Sequence, residues 1–250
     1  MVSTRHHPRD FPPPGSATRS ASPPSSPSTR GSATAKTWAH TPSAAVTIWL
    51  VVSIPLVLWD SGYVLLRPHS MPGNNLHAPL WTPYALYGTI DHMYGWPAYN
   101  ARNGFTAAQT VLNLVETLAY LYYLVTVYRH GTTTTSTSRR SQRKVQKGLL
   151  WLLKDEKVVH GRKGAIALLV AYSASLMTLG KTIIYWLNEV FSGFHNIGHN
   201  DIWVLVFLWI IPNGLWIVFP SYNVYLLGSE IVGSLDSLAP RQRPGRPKSS

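Results

Sequence analysis

Cysteine is absent from the 250 residues. That excludes disulfides, cysteine-based metal sites and a thiol nucleophile. Charge is scarce as well: Asp, Glu, Lys and Arg together make 13% of the chain, about half the share of a soluble domain. No glycine pattern of the GxGxxG or GxxxxGK kind follows a strand, and there is no HExxH, so nucleotide-fold and zincin chemistry have no signature here. The internal repeat expected of a small transporter is missing too. The formal charge of +12 and a pI near 10 invite nucleic acid as a partner. The basic residues, however, sit in the tails and one loop and flank apolar spans, which is the pattern of membrane orientation. The expectation is no nucleic acid, no metal and no cofactor.

What the chain does have is long apolar runs, 45% hydrophobic residues, ten Trp and thirteen Tyr. A span needs about 20 mostly apolar residues. Four stretches qualify, at about 44–66, 105–128, 165–187 and 203–227. They predict an all-α, integral membrane four-helix bundle over 43–232, between disordered tails at 1–42 and 233–250. The first tail is rich in Pro, Ser, Thr and Arg and buries too little apolar surface to fold. It contains no apolar h-region, so it does not read as a secretory signal. Basic residues number five in the N-terminal tail, two in the first loop, ten in the second, none in the third and four in the C-terminal tail. That alternation predicts four spans with both termini and the second loop cytoplasmic.

The second span, FTAAQTVLNLVETLAYLYYLVTVY, carries Glu116 near its middle. A carboxyl there costs on the order of 2.5–3.5 kcal/mol on insertion scales. Gln109, Asn113, Glu116 and Tyr120 recur at helical spacing and form one polar stripe, opposite lipid-compatible Val111, Leu114, Leu118 and Leu121. The stripe is either glue between helices or a ligand-facing or catalytic surface. Asp60, between Trp59 and Tyr63 and after Pro55 in the first span, is either an acid at the membrane edge or one facing Glu116 across a cavity. Lys181 in the third span shares a face with Tyr185 and Glu189. It either snorkels to water or pairs with Glu116 or Asp60. In the fourth span Pro212 frees the carbonyl of Leu208, Asn213 brings an amide to mid-membrane depth, and Trp216 lies on the same side. Interrupted helices of this sort line cavities or pack on protein.

The loops add less. Residues 67–104 carry five prolines and many aromatics. The segment reads as structureless chain lying on the membrane or folding over the bundle as a lid. Asp91 and His92 within YGTIDHMYGW are its chemically interesting pair. In the second loop the TTTTSTS run reads as flexible and KGLLWLLKDEKVV as a short surface helix. In the third, Asn196 and Gly198 argue against the helix that His195 and His199 would need to share a metal.

Acids and amides among aromatics suit one chemistry. Burial of a carboxyl favours its protonated form, and aromatic faces stabilise a cation. Together they allow an alkene to be protonated, the carbocation held and another proton removed. YGTIDHMYGW, the NGFTAAQ–Glu116 span, SGFHNIGH and PNGLWIVFP occur in that order, and over roughly 45–230 the chain resembles the emopamil-binding protein family, with its EXPERA domain. The resemblance implies four helices in the endoplasmic reticulum membrane and sterol Δ8–Δ7 isomerisation, or, as in relatives of the same fold, binding of sterols and cationic amphiphiles. It implies Asn213 and Trp216 in the sterol pocket, Trp216 against the cationic intermediate, and Asp60 near the family's first-helix acid. Pro55 stands where the family's isomerases carry a histidine.

The expected catalytic groups are Glu116 and Asp60 for proton transfer, with Asn213 orienting one of them. Trp216, Asn113, Tyr120, Gln109, Tyr63, Lys181 and Tyr185 are expected to contact a sterol or isoprenoid lipid. The alternatives are a non-enzymatic sterol- or amphiphile-binding protein, and an isomerase or cyclase of terpenoid secondary metabolism. A second copy of the chain is an allowed partner.

Overall fold

A computed structural model describes residues 38–133 and 157–238. The sequence expectations for 1–37, 134–156 and 239–250 lie outside the described residues; they include most of both tails, of the flexible run and of the surface helix. The helices are α1 (Ala44–Leu65), α2 (Pro83–Ile90), α3 (Trp96–Asn100), α4 (Phe105–His130), α5 (Gly161–Phe191), α6 (Ile202–Leu205) and α7 (Ile211–Leu238). A π-turn at Val206–Ile210 joins α6 to α7. Four helical stretches, Ala44–Leu65, Phe105–His130, Gly161–Phe191 and Ile202–Ser237, are long and apolar enough to cross a membrane. The chain is a helical, multi-pass membrane protein.

The spans pack in sequence order, α1 on α4, α4 on α5, and α5 on α7. The buried face of α5 explains how the backbones come close: Ala167, Ala171, Ala174, Ser175 and Thr178 are small and buried, the composition that lets membrane helices approach. Leu50, Tyr123, Val127 and Leu227 fill the core beside them. The outward faces stay apolar, with Leu118 68% and Val52 52% exposed. Such faces suit lipid.

Helix ends differ from the sequence expectation in ways that polar partners explain. The fourth span was expected to end near 227 with a polar tail from 233, but α7 continues to Leu238. Its serines return their hydroxyls to the helix: Ser229 donates to the Tyr225 carbonyl and Ser234 to that of Glu230, each at 2.6 Å. Glu230 accepts from the Thr41 N–H at 3.1 Å and lies 2.9 Å from the His40 ring. His40 is fully buried, with Nε2 3.1 Å from the Tyr123 hydroxyl, and Trp38 donates to Ser234. The end of the expected tail at 1–42 is therefore fixed to the bundle.

Three short strands gather at this end: β1 (Ala39–His40), β2 (Thr132–Thr133) and β3 (Lys157–His160). β3 lies in the middle and is antiparallel to both neighbours. Thr132 and Thr133, expected to be flexible, pair with β3, and Lys157–Val159, expected to be helical, form part of it.

The break in the fourth span has the cause the sequence suggested. Pro212 has no N–H to return to the turn before it, and the ladder widens there into the π-turn. The Asn213 side chain donates to the Trp209 carbonyl at 2.9 Å. Asp201 caps the start of this span by accepting from the Trp203 N–H at 2.9 Å, as a helix N-cap should.

The segment 67–104 is not structureless: it contains α2 and α3 and packs over the bundle. Its tightest crossing is between Gly88 and Gly95, where a Cβ on Gly95 would lie 2.2 Å from the Gly88 carbonyl oxygen. Tyr84 of α2 stacks on Tyr63 of α1 at 3.8 Å and 9°, an aromatic pair worth roughly 0.5–1.5 kcal/mol beyond its buried area.

Candidate functional site

A cavity of about 500 Å³ lies among α1, α2, α4, α5 and α7. Leu56, Trp59 and Asp60 come from α1, Gln109 and Asn113 from α4, Lys181 and Tyr185 from α5, and Asn213 and Trp216 from α7. Tyr84 and Tyr87 of α2, with Tyr94 beyond it, complete the wall. The volume is that of an ordinary small-molecule site. Its lining mixes aromatic and aliphatic side chains with a few polar ones, and among the described residues Asp60 is the only carboxylic residue in it.

Asp60 is held from the covering segment. The Tyr84 hydroxyl donates to Asp60 Oδ1 at 2.6 Å. Burial first, and then the neighbouring Asp60 carboxyl, push the Tyr84 phenol far above its ordinary range. Tyr84 thus keeps its O–H and serves Asp60 as a donor at any ordinary pH. Burial pushes Tyr87 and Tyr94 up as well, so the phenols of this wall stay neutral.

On the opposite side Lys181 lies between the cavity and Glu116. Its Nζ donates to Glu116 Oε2 at 2.6 Å and also to Asn113 Oδ1. Thr178 donates to the same Glu116 oxygen at 2.7 Å. Of the two readings of Lys181, the structure selects the ion pair. The added donors matter, because a buried pair offsets its desolvation only when the remaining polar atoms are also served. One atom is left over: Glu116 Oε1 is buried and has no hydrogen-bond partner among the described residues. Glu116 itself, 4% exposed, lies behind Lys181 and not in the cavity wall.

The structure therefore brings Asp60, Gln109, Asn113, Lys181, Tyr185, Asn213 and Trp216 to one cavity. It leaves Glu116, Tyr120 and Tyr63 outside the lining. Tyr120 bonds to Ser175 and Thr178 on α5. Tyr63 donates to the Tyr94 carbonyl at 2.8 Å and so supports the covering segment. Gln109 donates to the Lys181 carbonyl at 3.1 Å. Asn213 contacts the Tyr87 hydroxyl at 3.3 Å and lies within bonding distance of neither acid. Trp216 packs edge-on against Trp49, with centroids 5.0 Å apart.

Sequence reasoning left Tyr84 out of the site and did not foresee Asp91 as the support beneath it. Asp91 is fully buried at the end of α2. It accepts from Tyr185 and, at 2.7 Å, from Trp209 Nε1, with the Met93 N–H on its other oxygen at 2.9 Å. It thereby joins the covering segment to α5 and to the π-turn. The signal for it was faint: one acid in a loop with almost no other charge. His199 is not placed as a ligand. It stacks on His92 at 4.1 Å, and its Nε2 lies 2.7 Å from the Thr89 carbonyl.

Burial raises the Asp91 pKa from 3.8 to about 6, against the pull of Tyr185, Trp209 and the Met93 N–H. The folded chain then keeps a proton that the unfolded chain has already lost. Stability contributed by this group is full below about 4, falls as pH rises to about 6, and is level above that. The expected loss across the window is on the order of 3 kcal/mol. Denaturant unfolding in detergent at pH 4 and pH 7 checks it: Asp91→Asn, which does not titrate, should remove this part of the pH dependence.

No family model, no curated protein and no solved structure matches this chain.

Proposed function

We propose that this protein is a membrane isomerase of the emopamil-binding type, shifting a double bond in a sterol or related isoprenoid. The observation that carries the reading is one cavity of aromatic and aliphatic side chains within a membrane bundle, with the Asp60 carboxyl on one wall and on the other the Lys181 amine, paired behind the wall with Glu116. Asp60, oriented by Tyr84, gives its proton to one alkene carbon. The π-faces of Trp216, Trp59 and the covering tyrosines steady the carbocation. The proton lost from the carbon on the other side of the cationic centre goes to the Lys181–Glu116 pair. Lys181 receives it, in the form where Glu116 holds the proton of their shared hydrogen bond. The shift needs no oxidant, reductant or net proton, so two positioned acid–base groups suffice. The resemblance to the emopamil-binding family points to the endoplasmic reticulum membrane, and the distribution of basic residues supports both termini being cytoplasmic.

Expression in a host lacking sterol Δ8–Δ7 isomerase tests the reading. Δ7-sterols should appear in its lipid extract, and persistence of the Δ8 precursor alone argues against sterol turnover.

A second reading has its own support. Among the described residues Asp60 is the only carboxylic residue in the lining, and Glu116 is engaged by Lys181 and Thr178. A single acid among aromatics can anchor the ammonium of a cationic amphiphile without catalysis. Saturable binding of such an amine, with no change in sterol composition, would favour it.

A further inference from the structure

We infer that Lys181 is a covalent anchor for a carbonyl-bearing isoprenoid, held as an imine in the cavity. This rests on the isomerase reading only for the isoprenoid skeleton of the ligand. Three observations carry it. Among the described residues Lys181 is the only lysine lining the cavity, whose wall is otherwise aromatic, aliphatic or amide-bearing apart from Asp60 and Thr182. The amine has a proton acceptor in place, Glu116 Oε2 at 2.6 Å, with Thr178 fixing that oxygen and Asn113 fixing the amine. The second Glu116 oxygen is buried and unpartnered among the described residues, so one carboxylate lone pair is still unused.

Those parts match the needs of imine formation. An ammonium is no nucleophile; it must first lose a proton. Transfer along the bond to Glu116 provides the free amine. Nζ then attacks the carbonyl carbon, a C–N bond forms as the C=O π bond breaks, and the oxygen takes one proton from the nitrogen to give a carbinolamine. Glu116 supplies the proton with which that oxygen departs as water, leaving a C=N+–H bond to Lys181. One water leaves and no electron is transferred. The positive charge ends where it began, beside the Glu116 carboxylate, so the ion pair that stabilises the empty helix interface also stabilises the adduct. A hydrocarbon or an alcohol of the same skeleton has no means of engaging the amine in this way.

The test is reductive trapping on the full-length protein in detergent. Wild type is incubated with farnesal, a C15 aldehyde, or with progesterone, a steroid 3-ketone, in the presence of cyanoborohydride. Intact mass and peptide mapping follow. A single adduct at Lys181 with at least one probe, formed at least tenfold faster than at any other lysine, is the expected result. Lys181→Arg keeps a cation for Glu116 but cannot form an imine, and it should lose that adduct. Absence of labelling at Lys181 with both probes, or labelling spread equally over the other lysines, overturns the inference. Trapping and sterol turnover fail separately. Turnover without trapping removes the carbonyl ligand and leaves the isomerase, whereas trapping without turnover removes the isomerase and leaves the carbonyl site.

Discussion

Asp60→Asn lowers turnover of a Δ8-sterol or related alkene about 10²–10⁴-fold, the usual worth of one positioned acid, while the protein still purifies folded. An amide has no acidic proton to give. It does keep a carbonyl oxygen for the Tyr84 hydroxyl that now lies 2.6 Å from Asp60 Oδ1, so the covering segment retains its attachment. The loss should fall on kcat and leave substrate affinity near its wild-type value, because the aromatic walls are untouched. Steady-state kinetics in detergent separate the two parameters. Wild-type kcat in this variant would remove Asp60 from the chemistry.

Glu116→Ala destabilises the folded protein by about 3–5 kcal/mol, the cost of leaving one member of a buried pair alone. Lys181 would keep only the Asn113 amide, while the Thr178 hydroxyl could fall back on the Ala174 carbonyl at 2.9 Å. The double variant Glu116→Ala/Lys181→Met replaces the charge with an apolar chain of similar length. It should recover most of the loss, since apolar replacements of buried pairs are often neutral. Denaturant titration in detergent measures both. Equal instability in the single and double variants would mean that the vacant volume, and not the stranded cation, is responsible.

The four spans were legible because membrane insertion acts on composition over about 20 residues, which a linear reading can sum. The Lys181–Glu116 pairing was nearly legible: two opposite charges on neighbouring spans have few other ways to be satisfied in lipid. The break at Pro212 accords with its missing N–H, whereas Pro55 and Pro220, which lack one too, lie inside continuous helices. Helix ends were less legible, because partners distant in sequence set them. Nothing near Glu230 predicts that His40 and Thr41 will meet it.

The site divided along the same line. Helical spacing put Gln109, Asn113, Glu116 and Tyr120 on one stripe. It could not tell that Lys181 would stand between Glu116 and the cavity. Nor does periodicity foresee how an aromatic loop folds back. Tyr84 reaches Asp60, and Asp91 reaches Tyr185 and Trp209, through contacts between residues far apart in sequence that local periodicity does not encode.

The central claim is that a proton is delivered to an alkene inside this cavity. Turnover of a Δ8-sterol by the purified protein in D2O, read by mass spectrometry, tests it most directly. The account predicts a Δ7 product carrying one deuterium at the protonated ring carbon, absent with Asp60→Asn. Recovery of the Δ8-sterol unchanged and unlabelled, or equal labelling by both proteins, would contradict it.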